Sequence, residues 1–219
     1  MNFYNENIEK FLNDLSSDMP APGGGAVAGL VSALSGSLNS MVYSLTVGKK
    51  KYNELTQEKK VLISEFRGKS ELFIKRSLEL MDEDRDNFML LMESYKLPQN
   101  NEEDKLFRKN KIRENTIKAM EAPLALGRES LEFYENLKVM KKYGNKMLLS
   151  DLSIAAILLH SSIESSVINI KVNLNSLRQE EFFEEIDKEI SSMIEESLRN
   201  KNELCSYIDN IIYCNKKPV

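Results

Sequence analysis

The stretch Pro20-Ala21-Pro22-Gly23-Gly24-Gly25-Ala26-Val27-Ala28-Gly29 opens a run from Met19 to Gly48 that contains no charged residue. The two prolines fix the path of the backbone, and three successive glycines carry a conformational penalty that a plain loop does not require. From Ala26 to Val47 the pattern is helical and uniformly small or apolar. The run is long enough to cross a membrane. Its Ser32, Ser35, Ser37, Asn39, Ser40, Ser44 and Thr46, however, are too many polar groups for a lipid-facing helix. It reads as the central helix of a bundle, shielded by neighbours on every side. The glycines then sit at its N-terminus, where unpaired amides and the helix dipole favour an anion. A turn packed between helices satisfies the same residues, because no P-loop Lys follows and no strand precedes.

Outward from that helix the pattern stays helical. Ile8, Phe11, Leu12 and Leu15 make a short amphipathic helix, and Thr56 to Tyr95 a very long one with a bend expected at Gly68. Glu102 to Tyr143 is again helical, and Pro123 is expected to kink or divide it near Ala122. Gly144-Asn145 reads as a helix end, and Ser150-Asp151 as the cap of an apolar helix reaching Leu177. Glu180 to Ile212 forms a last amphipathic helix. The fold class is all-α: one domain over residues 1–219, a bundle of long helices expected to pair as a homodimer because two of them are apolar on more than one face, features that a larger monomeric bundle also fits.

Composition narrows the chemistry. Thirty basic residues against thirty-four acidic give a net charge of −4, which offers no field for nucleic acid. Two cysteines, Cys205 and Cys214, and one histidine support neither a disulfide framework nor a zinc site. With no signal core at the N-terminus, the expectation is a cytoplasmic protein without membrane or nucleic-acid partners.

Three clusters carry chemical potential. Ser77, Met81, Asp84, Phe88 and Leu91 share one helical row, which sets Asp84 in an apolar stripe. Asp82 lies on a second row with Leu78, Arg85 and Met89. A carboxylate among apolar neighbours has its pKa raised toward neutrality, which prepares an acid/base group; a solvated acidic turn in which Asp84 pairs with Arg85 is the plain alternative. Asn169 and Asn173 lie one turn apart and suit a flat heterocycle, or equally the satisfaction of backbone groups near a helix end. Lys49, Lys50 and Lys51 suit a polyanionic tail, unless they are simply solvated. His160 reads as a packed core or interface residue.

Taken in order, Pro22-Gly23-Gly24-Gly25-Ala26, Leu45-Thr46-x-Gly48-Lys49-Lys50-Lys51-Tyr52, Asp82-x-Asp84 with Phe88, Tyr95-Lys96-Leu97-Pro98, Ala122-Pro123-Leu124, Gly144-Asn145, Ser150-Asp151 and Asn169-x-x-x-Asn173 resemble the cyclodeaminase/cyclohydrolase family over nearly the whole chain. The family often has Ser where this chain has Ala26. The resemblance implies a dimeric all-α enzyme that binds tetrahydrofolate derivatives. Its expected activity is formiminotetrahydrofolate cyclodeaminase, with methenyltetrahydrofolate cyclohydrolase as the alternative on the same scaffold and a non-catalytic helical module as a third reading. It implies Asp82 or Asp84 as the acid/base residue, the apolar stripe favouring Asp84. Pro22, Gly23, Gly24, Gly25, Lys49, Lys50, Lys96, Ser150, Asp151, Asn169 and Asn173 are the implied substrate-binding residues. The substrate is a reduced folate, with or without a polyglutamate tail, and no metal or other cofactor is expected.

Overall fold

The computed structural model describes residues 2–213. Seven α-helices follow in order: α1 (Ile8–Leu15), α2 (Gly24–Ser44), α3 (Lys50–Asn53), α4 (Gln57–Ser94), α5 (Glu102–Tyr143), α6 (Leu149–Leu174) and α7 (Phe183–Ile212), and no strand occurs among the described residues. Helices α2, α4, α5 and α6 make an antiparallel four-helix bundle, with α7 packed across α6 and α5. The pairing is visible in side-chain bonds: Ser162 Oγ donates to the Ala28 carbonyl (2.9 Å) and Ser35 Oγ to that of Ala155 (2.7 Å), so α2 and α6 run in opposite senses.

Those bonds explain why an uncharged helix can be rich in serine. Ser32 Oγ lies 3.0 Å from Ser130 Oγ, Ser70 Oγ donates to the Gly36 carbonyl, and Asn39 Nδ2 donates to Asn136 Oδ1 at 3.0 Å. Ser32, Ser35 and Asn39 each find a partner on a neighbouring helix, which offsets most of the penalty of burying them, although Asn39 Oδ1 is buried without one. The same face uses its lack of side chains. A Cβ at Gly29 would stand 2.9 Å from Met81 Cβ and 3.0 Å from the Ser77 carbonyl, so α2 and α4 meet backbone to backbone. The shielding is not complete, however: Leu34, Met41 and Leu45 are exposed on the outer side of α2.

One local expectation, at Ser150, is corrected, and two helices run unbroken through Pro123 and Gly68. Pro123 lies inside α5 without dividing it, because the carbonyl it leaves without an amide donor, that of Ala119, accepts from Asn173 Nδ2 on α6 (3.3 Å). Gly68 stays within continuous α4. Ser150 is no cap: Asn145 accepts from the Met147 amide to open a 3₁₀ turn, Lys146–Leu148, and α6 follows from Leu149. His160 is buried, as expected, with Nδ1 2.9 Å from Ser197 Oγ. Cys205 is a free thiol, and Cys214 lies outside the described residues.

The close crossing of α2 and α4 is testable. Gly29→Ala should lower unfolding stability by about 1–3 kcal/mol, since Met81 Cβ and a backbone carbonyl cannot move independently of their helix. Urea unfolding followed by circular dichroism measures it; an unchanged midpoint would contradict the packing.

Candidate active site

At the N-terminal end of α2 the glycines meet α4 and α6. The first bond of the helix runs from the Val27 amide to the Gly23 carbonyl (3.1 Å), so the amides of Gly24, Gly25 and Ala26 precede the ladder and remain for other acceptors. A Cβ on Gly25 would fall 2.1 Å from Asp84 Oδ2 and 2.3 Å from its Cγ. Only glycine at this position lets the carboxylate lie against the helix backbone. A Cβ on Gly24 would stand 3.6 Å from Asn169 Oδ1, so α6 approaches from the other side.

These groups line one cleft of about 190 Å³, with Pro22, Phe88 and Asn173 completing the polar and apolar walls. Burial raises the Asp84 carboxyl to about 6 from its ordinary 3.8. Asn169 donates to the Ser165 carbonyl (2.9 Å), and Asn173 donates to those of Asn169 (3.1 Å) and Ala119. Backbone carbonyls hold both amide hydrogens of Asn173 and one of the two on Asn169, which leaves the carboxamide oxygens of both as acceptors.

Asp82 has a different task. Its Oδ1 accepts from the Phe3 amide (3.0 Å) and from Arg85 Nη1 (3.0 Å), which ties the N-terminal segment to α4 and places it outside the cleft lining. Arg85 also donates to Asp86 and lies over the Phe3 ring, 4.8 Å from its centroid. Arg85, which the plain alternative set beside Asp84, pairs with Asp82 and Asp86.

The remaining implied binding residues do not join the cleft within one chain. Lys49 and Lys50 follow the C-terminal end of α2, about 30 Å along its axis from Gly24. Ser150 and Asp151 open α6 at that same far end, where the Asn145 amide donates to Thr46 Oγ1. Lys96 lies past the end of α4, about 15 Å along the axis from Asp84. Ala26, where the family often has Ser, is buried against Phe3, Phe11 and Met81 while also bordering the cleft. Phe3, Ala119 and Val172 line the cleft without having been anticipated. Ala119 alone left a trace in the sequence, standing four residues before Pro123.

The model of the formiminotransferase-cyclodeaminase family matches residues 7–192. The chain belongs to that family. A methenyltetrahydrofolate cyclohydrolase from Methylorubrum extorquens is 34% identical over 194 residues, covering 88% of this chain and 91% of that protein. The formimidoyltransferase-cyclodeaminase of Mus musculus is 30% identical over 190 residues, which make up 87% of this chain but 34% of the mouse protein. Among solved structures, formiminotetrahydrofolate cyclodeaminase from Thermotoga maritima superposes with a TM-score of 0.76 at 22% identity, covering 95% and 96% of the two chains, and thereby shares the fold.

The perturbed carboxyl makes a signed prediction. The folded state holds its Asp84 proton up to about pH 6, whereas the unfolded chain releases it near 3.8, so between those values stability falls as pH rises. Asp84→Asn should therefore be more stable than the native protein at pH 7, by on the order of 1–2 kcal/mol after allowance for partial solvent access, and equal to it below pH 4. Denaturant midpoints at both pH values test this; a variant less stable at pH 7 would show the carboxylate to be well stabilised.

Proposed function

We propose that this protein makes or opens the one-carbon bridge between N5 and N10 of tetrahydrofolate, with Asp84 as its proton-transfer group. The observation that carries the reading is the Asp84 carboxyl, raised to about 6, pressed on the Gly25 backbone between the free amides of α2 and the carboxamides of α6. The family supplies the substrate class.

The primary reading is formiminotetrahydrofolate cyclodeaminase. N10 attacks the formimino carbon, Asp84 takes the N10 proton and delivers it to the amine nitrogen, and the carbon–nitrogen bond breaks to release ammonia and 5,10-methenyltetrahydrofolate. A group with a pKa near 6 performs both halves of that transfer near neutral pH, and as an anion it stabilises the amidinium-like charge on either side of the tetrahedral carbon. Asn169 and Asn173 orient the pterin through acceptor oxygens, and a substrate carrying several glutamates extends toward lysines outside the cleft.

A second reading is favoured by the Methylorubrum relative, which is of nearly the same length and named as a cyclohydrolase. Here Asp84 takes a proton from water as the oxygen adds to the methenyl carbon and gives it to N5 as the carbon–N5 bond breaks, while the remaining hydroxyl proton is released to solvent, giving 10-formyltetrahydrofolate. Both reactions use one carboxylate in the same two steps.

Purified protein mixed with 5-formiminotetrahydrofolate should raise the methenyl absorbance and release ammonia together; loss of methenyl absorbance from added 5,10-methenyltetrahydrofolate, without ammonia release from the formimino compound, would identify the hydrolase instead. In the active assay Asp84→Asn should lower turnover by about 100-fold or more, and native kcat/KM should rise with pH through about 6 as the attacking group's proton acceptor forms. Turnover of Asp84→Asn within a few-fold of native removes Asp84 from this role.

A further inference from the structure

One wall of the cleft comes from the start of the chain. Residues Phe3–Asn5 form a single 3₁₀ turn, closed by the Glu6 amide on the Phe3 carbonyl (3.0 Å), and Phe3 lines the cleft together with Asp84. Its ring is buried in one apolar cluster with Phe11, Ala26 and Met81, and meets the Phe11 ring edge-on at a centroid separation of 5.9 Å. A turn with so few bonds of its own does not hold itself in place. Position 3 also precedes residues 7–192, over which the family model matches, so family membership does not supply this wall.

What holds the turn is α4. The Phe3 amide donates to Asp82 Oδ1 (3.0 Å), and the same oxygen accepts from Arg85 Nη1 (3.0 Å). Arg85 also pairs with Asp86 and lies over the Phe3 ring, 4.8 Å from its centroid. Asp82 does this at a cost, because its Oδ2 is buried without a hydrogen-bond partner. Stability alone is served as well by an apolar residue in such a place. A carboxylate kept there for one amide and one guanidinium points to positioning.

Among the described residues Arg85 is the one cation in the cleft lining, since α2, α5, α6 and the N-terminal turn line it with uncharged groups. A guanidinium turned toward Asp84 would hold that carboxyl in its ionised form, but Asp82, Asp86 and the Phe3 ring engage it elsewhere. We propose that Phe3, pinned by its amide to Asp82, is an active-site wall that keeps water and the Arg85 guanidinium off the Asp84 carboxylate. The ring and its cluster thereby sustain the desolvation that raises the Asp84 carboxyl to about 6. Phe3 and Asp82 are positioning residues, which act on the reaction through Asp84. The identity of that reaction rests on the folate reading; the wall does not.

Nuclear magnetic resonance of protein labelled with carbon-13 at its aspartate carboxyls tests the wall without substrate. The signal missing from Asp84→Asn belongs to Asp84, and in the native protein it should titrate at about 6. In Phe3→Ala, with helical circular dichroism unchanged, the midpoint should fall by about one pH unit or more, whereas Phe3→Leu should keep it within about a third of a unit of native. A native midpoint near 3.8, or one that Phe3→Ala leaves in place, overturns the proposal. Should Phe3→Ala unfold, Phe3→Val keeps part of the packing and should give a smaller fall; a midpoint at the native value overturns the proposal equally. Asp82→Asn and Asp82→Ala remove the same charge, but only the first keeps an acceptor for the Phe3 amide. The midpoint should therefore be lower in Asp82→Ala, and equal midpoints overturn the anchor. Product partition reads the same wall in the reaction. From 5-formiminotetrahydrofolate the native protein should give methenyl product and ammonia one for one, while Phe3→Ala should release ammonia in excess, because water reaches the product in the opened cleft. One-for-one release by an active Phe3→Ala overturns the exclusion of water. A native protein that releases no ammonia rejects the deaminase reading and leaves the titration to decide the wall.

Discussion

The missing side chain at Gly25 is the constraint on which this site depends. Asp84 reaches the N-terminus of α2 because nothing but backbone stands there, and its carboxylate occupies the space that any Cβ would fill. The same economy recurs down the crossing of α2 and α4: Gly29 meets Met81, and Gly36 meets Ile74 and Phe73. Spacing between the two helices is thus set by glycines over three turns, and the carboxylate is one more group packed into that narrow gap. Its desolvation follows from the helix packing itself, and so does the raised pKa.

Burying a helix as polar as α2 requires that its hydroxyls be answered. Ser32, Ser35 and Asn39 are each paired with another helix, while the outward row of α2 carries none of these inward-facing groups. On α6 a similar exchange supports the site. Asn173 supplies the hydrogen that Pro123 denies to the Ala119 carbonyl, so one side chain both preserves α5 and fixes a wall of the cleft. A substitution at Asn173 therefore strikes stability and site geometry at once, and the two effects separate only if unfolding and turnover are measured on the same variant.

How much of this was legible in the sequence can be traced residue by residue. The helices other than the one-turn α3 emerged from periodicity to within a few residues, since long amphipathic patterns with Pro and Gly between them leave few alternatives. The apolar row of Asp84 favoured it over Asp82 without excluding the latter, and the structure places Asp84 against Gly25 and in one cleft with Asn169, which lie distant in sequence. Asp82 was not separable by the same reasoning: what removes it from the cleft is the Phe3 amide, a contact across seventy-nine positions that no local pattern encodes. That Pro123 does not divide α5 was hidden for a related reason, its compensation lying on another helix. The lysines after α2 and Ser150-Asp151 were grouped with the glycines by motif, whereas helix length places them at the far end of the bundle.

On the proposed reading, one carboxylate moves a proton from the attacking atom to the departing nitrogen in ring closure and ring opening alike, so Asp84 does not by itself choose between them. Water does. A cyclodeaminase that admitted water beside its methenyl product would hydrolyse that product with its own acid/base group, whereas a cyclohydrolase has to admit it. The distinction between the two activities therefore lies in the wall that faces Asp84 across the cleft. In the single chain that wall is incomplete where Gly24 and Val172 stand exposed. Whatever covers them sets the access of water to the reacting carbon, and with it the direction in which the same proton transfer is used.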